Sequence, residues 1–511
     1  MTAARSVPRD LSGVADLLEA TVVLAALASI VSFVIVALLR LGYPFPLQVT
    51  ESASFEEMLR VLHGQPLYVA PTISHVPMIY GPVYFTLAAA VATVVGPTFS
   101  ALRAVSLLAS LGSLALVGYL VYRETTDRVA AVAAVGLLAV AYPLAEQALD
   151  VGRVDALFAF FLLAGLAVAR SARTVRGLVA SGVLLGLAGL TKLPIGTLPV
   201  AGFLCVYLAV SLRMRAIIFA AAFLVTIILG VLLLRAQSGP WATWYLFDLP
   251  NQHGINDHGN LGGRFWFLDV LPHFTFALLI GPAFLLASAA ERHLKPLLFY
   301  GGGGLSLIAL SWASRSNSGG ATNVLLPTHA LVAILFGLGM ALILRDVRGR
   351  SVRVRAMRAY LVGLCLLQFA LLAYNPRLQV PYRSEQWAAE RLAARLADLS
   401  GSLYAPELDG YLLGSDKGEQ PLLGAAGELL GGYGGMVTDE GARWENDLAT
   451  AFREQRFDHV VLGKDWCCEV QDRLGDAYVS AGPLFPPDDD YWRWTAGRTP
   501  TELEVFVPRP R

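Results

Sequence analysis

The sequence predicts a polytopic α-helical membrane protein with about eleven transmembrane helices, juxtamembrane helices in its first outer loop, and a small α/β domain at its C-terminal end. Three observations predict it. Of 511 residues, 55% are hydrophobic and only 15% are charged, whereas soluble globular chains run at about 45–50% and about 25%. The apolar excess is gathered into blocks of roughly 16–24 residues, the length that crosses about 30 Å of hydrocarbon at about 1.5 Å per residue. The basic residues between blocks fall unevenly on alternating loops. Net formal charge is zero, so no basic surface points to nucleic acid.

The blocks lie near 17–39, 79–97, 103–122, 129–147, 154–169, 177–191, 195–212, 216–234, 268–290, 296–314, 324–344 and 359–374. The first follows Arg5 and Arg9 and is too long for the apolar core of a cleavable signal, so it reads as an uncleaved helix. Short cytoplasmic loops collect Lys and Arg. One loop set after residue 97 holds Arg123, Arg128, Arg170, Arg173, Arg176, Arg213, Arg215, Arg292, Lys295 and the run Arg345, Arg348, Arg350, Arg353, Arg355 and Arg358. The other holds Arg103, Arg153, Lys192, Arg235, Arg264 and Arg315. Fifteen against six makes the first set cytoplasmic. The N-terminus, with Arg5 and Arg9, joins that side only if one block between 39 and 103 does not cross. The weakest block is 79–97, bounded by Tyr80-Gly81-Pro82 and Gly96-Pro97, and it reads as an interfacial or re-entrant helix. An ordinary twelfth span is the alternative.

On this reading residues 1–375 form the membrane domain and 376–511 a soluble outer domain. Its composition turns charged and polar, with a helical pattern at 385–399 and a strand-like Phe457-Asp458-His459-Val460-Val461-Leu462-Gly463. Cys205 and Cys365 lie in apolar spans and Cys467 and Cys468 are neighbours, a set that frames neither a disulfide nor a metal.

Candidate chemistry collects on the outer loops. Glu51 opens a helical stretch just after the first span; a carboxylate there can act as general base or simply favour a helix N-terminus. Asp150, Arg153 and Asp155 put three charges within six residues at the edge of a span, which suggests a wet or ligand-filled cavity, or an internal pair that ends the helix. Lys192 sits between two tightly spaced spans, facing a phosphate or snorkelling. The loop 236–267 carries Trp241, Trp244, Tyr245, His253, Asp257, His258 and Arg264. The tryptophans read as interfacial anchors, and the two histidines do not make a convincing metal pair. A turn at Ser316–Asn323 precedes the span that holds Pro327. No Walker loop and no dinucleotide glycine fingerprint is present.

In these residues the chain resembles the GT-C superfamily of polyprenyl-phosphate-sugar-dependent glycosyltransferases, the group of protein O-mannosyltransferases and lipid A aminoarabinose transferases. The resemblance rests on an ordered set: Glu51 before Arg60 and Gly64-Gln65-Pro66-Leu67-Tyr68, then Tyr80-Gly81-Pro82-Val83-Tyr84, Gly152-Arg153-Val154-Asp155, Gly189-Leu190-Thr191-Lys192, and Gly319-Gly320-Ala321-Thr322-Asn323. It implies a sugar transferred, with inversion, from a polyprenyl-phosphate donor to a lipid or glycan acceptor at the outer face of the cytoplasmic membrane. Glu51 would take the first-loop acidic position as base, and Asp150 or Asp155 the second. Arg153, Lys192 and Arg264 would hold the donor phosphate, and Tyr80, His258 and Asn323 the substrate. Glu51 is followed by Ser52 where the family usually has an acidic pair, so no metal site is assigned; a divalent cation between donor phosphate and acid stays open. The rival classes are a transporter or lipid flippase, which would bring internal repeats and mid-membrane charges, and a non-catalytic membrane scaffold, which would tolerate loss of the outer charges.

Overall fold

The computed structural model describes residues 10–254, 263–317, 319–345, 352–406, 408–413, 415–431, 436–463, 473–485 and 502–510. The first half runs through α1 (Asp10–Leu41), α2 (Val49–Leu62), α3 (Val83–Val95), α4 (Phe99–Thr125), α5 (Arg128–Val140), α6 (Val154–Ser171), α7 (Val175–Thr191), α8 (Leu198–Ser211) and α9 (Arg213–Ser238). Helical segments Arg264–Ala290, Leu294–Ser316, Thr322–Leu344 and Val352–Leu372 follow. Among the described residues seven helices are long and apolar enough to cross a membrane, eight with the bent pair Ala356–Leu372 and Pro376–Ala397. α3, α5, α7 and the Ile195–Ser211 segment are shorter apolar helices. The expected eleven therefore requires the last three of these to cross and α3 not to.

The contacts at the two ends of α3 bear on that. The Gly81 amide, just before it, donates to the Lys192 carbonyl at the end of α7 (3.0 Å). Just after it, Phe99 packs on Phe55 (ring centroids 5.1 Å apart) and the Ser100 hydroxyl donates to the Leu41 carbonyl (2.9 Å). The ends of α1 and α7 and the starts of α2 and α4 share one end of the bundle, so α3 begins and finishes there. Its thirteen residues span about 20 Å, short of the hydrocarbon thickness.

The membrane-facing surface explains the composition. On α9, Phe219 and Phe223 are buried while Leu224, Ile228, Leu229, Leu232 and Leu233 are all more than half exposed. So continuous an apolar face is stable only against hydrocarbon. Thr322–Leu344 is the most buried span and forms the centre. α1 is held at both ends. Glu19 and Asp16 meet Arg358 at one end (2.5 and 3.5 Å), and Arg40 donates to the Gln379 carbonyl at the other (2.9 Å).

The C-terminal region builds a four-stranded sheet from β1 (Leu403–Tyr404), β2 (His459–Gly463), β3 (Tyr478–Pro483) and β4 (Leu503–Pro508), in the order β1-β2-β4-β3. β1 and β2 are parallel and the other pairs antiparallel. Alternation along the strands sets the two faces. Val461, Leu503 and Val505 pack with Leu392 and Leu396 of the helix Arg383–Ala397, and Val460 and Phe506 pack with Leu448 and Phe452 of the helix Asp439–Arg453. The sheet unit sits on the loop that follows α1. Tyr411 stacks on Phe45 at 5.5 Å, and the Trp444 indole donates to the Thr72 carbonyl (2.9 Å).

Candidate active site

Apolar helices that end at one surface bring their terminal polar residues together there. Asp155 lies in the first turn of α6, Arg153 immediately precedes that helix, Lys192 ends α7, and Asn323 begins the central span. A charge near hydrocarbon is costly alone, and these charges meet. Lys192 Nζ donates to Asp155 Oδ1 (2.6 Å), Asn323 Nδ2 donates to the same oxygen (2.8 Å), and Arg153 Nε lies 3.2 Å from Oδ2. Arg153 Nη1 also donates to Glu146 (3.2 Å).

Tyr80 covers the ammonium group, with Nζ 6.0 Å from its ring centroid and 5.8 Å from that of Phe158. Burial, reinforced by the Asp155 charge, keeps the Tyr80 phenol protonated well above its usual range. Gly81 has to be glycine: a Cβ there would overlap the Leu190 carbonyl. Asp155, Phe158, Lys192, Asn323 and Pro327 wall a cleft of about 50 Å³. The arrangement offers an anion two cations already gathered at one carboxylate.

Glu51 is placed differently. It is fully buried in the first turn of α2 and each carboxylate oxygen accepts twice. Arg103 Nε (3.0 Å) and the Gly152 amide donate to Oε1, while Arg103 Nη2 (2.7 Å) and the Leu47 amide (2.6 Å) donate to Oε2. Burial alone would raise its pKa, but Arg103 and the two amides hold it below the usual carboxylate value. A carboxylate saturated in this way has no lone pair to offer a hydroxyl. The expectation that Glu51 shares one wet chamber with Arg153 and Lys192 is therefore corrected. It ties the first loop to the second through Gly152, where a Cβ would crowd Leu102 and Glu51 itself.

The choice left open between Asp150 and Asp155 narrows geometrically, since Asp155 lines the cleft and Asp150 does not. Asp150 is locked by Arg40 Nε (2.9 Å) and the Tyr142 hydroxyl (2.9 Å). Arg264 opens a π-helical turn, is exposed, and is not among the cleft residues. His258 lies outside the described residues.

Sequence reasoning missed a second acidic group. Glu56 and Glu57 of α2, His75 and Asp409 are all at least nine-tenths buried where the sheet unit meets α2. Glu56 and Asp409 share a hydrogen bond, His75 Nδ1 lies 3.5 Å from Glu56, and Glu57 accepts from the Met78 amide (3.0 Å). Burial pushes all three carboxyls up, helped for Glu56 by neighbouring Glu419 and Glu57, and a carboxyl pair in hydrogen contact holds a proton between its members. Among the described residues no group of three or more His, Cys, Asp or Glu is placed to hold a metal ion.

Residues 76–241, which include Tyr80, Arg153, Asp155 and Lys192, match the family model for dolichyl-phosphate-mannose-protein mannosyltransferase. In fold the chain is similar to ArnT from Cupriavidus metallidurans bound to undecaprenyl phosphate, with a TM-score of 0.60 at 14% identity over 96% of this chain and 99% of that one. The apo state of ArnT gives the same score at 15% identity and the same coverage. The oligosaccharyltransferase of Archaeoglobus fulgidus in the apo form gives 0.51 at 13% identity, over 88% of this chain and 73% of that one. No curated protein matches. The chain thus has the GT-C fold, ArnT-like from end to end, in a multi-pass membrane protein.

Proposed function

We propose that the protein transfers a sugar from a polyprenyl-phosphate donor to a hydroxyl of a lipid or glycan acceptor, at the outer face of the cytoplasmic membrane. The observation that carries this reading is the Asp155–Lys192–Arg153 cluster on the wall of a cleft at a helix-end surface, within the segment that matches a family of lipid-phosphate-sugar transferases. Lys192 and Arg153 receive the donor phosphate, with Tyr80 and Asn323 shaping the space around it. Cations aimed at charge that develops on a leaving phosphate supply a large part of such a barrier reduction.

The reaction is one displacement. The acceptor oxygen forms a bond to the anomeric carbon from the face opposite the phosphate, the carbon–phosphate-oxygen bond breaks, and polyprenyl phosphate leaves with the electron pair. The hydroxyl proton goes to a carboxylate. Asp155 suits that role because Lys192 and Asn323 both donate to its Oδ1, which leaves Oδ2 facing Arg153 Nε at 3.2 Å, and it loses its cations as they turn to the phosphate. Glu51 can serve only if Arg103 first releases it.

Transfer assays on Asp155→Asn and Glu51→Gln, with folding checked by thermal melting, separate the two. Loss of about 10²–10⁴-fold in Asp155→Asn with near wild-type melting supports this assignment. Activity within a few fold of wild type in Asp155→Asn, with loss in Glu51→Gln, moves the base to Glu51. Full activity in both, and in Lys192→Ala, overturns the proposed site.

A further inference from the structure

The opposite end of the bundle holds a larger cavity of about 290 Å³, near the lower bound of small-ligand pockets. Its basic wall is assembled from four places in the chain. Arg123 comes from the end of α4, Arg170 and Arg173 from the end of α6 and the loop after it, Arg215 from the start of α9, and Lys295 from the start of the Leu294–Ser316 segment. The excess of positive charge is not balanced from within. Glu124 meets Arg170 at 3.0 Å and Arg123 at 3.9 Å. Among the described residues no carboxylate pairs with Arg173, Arg215 or Lys295, and Arg170 Nε is buried without an acceptor.

A simple bias of basic loops towards one side of a membrane does not account for this. Arg128, Arg176, Arg213 and Arg292 show that bias, are exposed and do not line the cavity, whereas of the cavity's basic residues Arg123, Arg170 and Arg215 are half-buried and Arg173 and Lys295 are exposed at its rim. The remaining wall is mostly apolar, with Ser171 and Ser211 among its residues, and its Val210 and Leu298 are exposed. A ligand that fits carries a compact anion for the cations and a hydrocarbon portion for the apolar lip. Basic pockets between membrane helices bind phosphate-bearing lipid headgroups on these terms.

We propose that this cavity binds the phosphate headgroup of an anionic phospholipid, at the end of the bundle away from the Asp155 cleft. The site does not depend on the reaction proposed above. The test uses the delipidated full-length protein, phosphatidylcholine nanodiscs with and without phosphatidylglycerol, and inorganic phosphate as the soluble alternative. Retained lipid is read by native mass spectrometry and the melting temperature is followed. The expected result is a rise in melting temperature and retained lipid with phosphatidylglycerol alone, and about a hundredfold weaker binding in Arg173→Gln/Arg215→Gln/Lys295→Gln, at roughly one factor of five per charge removed.

Should that variant misfold, Arg173→Gln/Lys295→Gln changes only exposed side chains and is expected to lose about 25-fold. The exposed control Arg128→Gln/Arg176→Gln/Arg213→Gln is expected to bind as wild type. Equal losses in the control and the cavity variants overturn the proposal in favour of diffuse surface charge. An identical shift from inorganic phosphate overturns the lipid assignment.

Discussion

The two ends of the helical bundle handle charge in opposite ways. At the end that carries the cleft, each buried cation has a carboxylate within 3.2 Å: Arg40 with Asp150, Arg103 with Glu51, and Arg153 and Lys192 with Asp155. At the other end five basic residues surround a cavity at which, among the described residues, Glu124 is the one carboxylate paired with any of them. At the first end the charges are paired around a cleft of about 50 Å³. At the second most of the positive charge is unpaired, around a cavity of about 290 Å³. Burial dictates pairing, because a desolvated charge without a partner is costly. Charges that stay partly wet can be left single, and what they lack is then a clue to what they bind.

Breaking the compensated end is expected to have the largest effect. Arg103→Ala strands Glu51 in the interior and is expected to cost about 3–5 kcal/mol of stability, read as a large drop in melting temperature. The double variant Glu51→Gln/Arg103→Met, which removes both charges, is expected to recover most of that loss. A double variant as unstable as Arg103→Ala would show that the pair does more than neutralise itself.

Next in size is Lys192→Ala. Asp155 keeps Arg153 and Asn323, so stability changes little, while the transfer rate is expected to fall about 10²–10³-fold. Equal losses in stability and rate would make Lys192 a structural cation like Arg103.

A smaller effect concerns the acids beneath the sheet unit. Glu56 and Asp409 are held above the usual carboxylate range by burial, so the folded protein keeps protons that the unfolded chain releases. Their contribution is complete below the ordinary carboxylate pKa and is lost as pH rises through the raised values. Buried His75, whose pKa is lowered by burial, tilts the other way, so the informative quantity is a difference. The melting temperature of Glu56→Gln minus that of wild type is expected to grow as pH is raised from about 5 to about 8. A difference that stays flat with pH would mean the Glu56–Asp409 contact does not hold a proton. The smallest effect belongs to the basic end, where Arg215→Gln in detergent is expected to change stability by less than about 1 kcal/mol.

Much of this fold was legible because apolar length is a strong signal. The strand near 457–463 and the helix near 385–399 appear as His459–Gly463 and Arg383–Ala397. Tyr80, Arg153, Asp155, Lys192 and Asn323 are drawn together because each sits at the edge of an apolar segment. The pairing did not follow. Arg103 was counted as a loop charge, although a lone arginine a few residues inside an apolar run signals a buried partner, and that partner turned out to be Glu51. Asp409 carried no signal at all. It reaches Glu56 across more than 350 residues of chain, a distance over which neither periodicity nor spacing speaks.

The shortness of α3 reaches further than its own contacts. Each later segment inherits its direction from whether that helix stops in the bilayer during synthesis, and at about 20 Å it lacks roughly two turns of the length a stop requires. A few added leucines would thread the remainder of the chain backwards. The cleft would then face the compartment now facing the basic cavity.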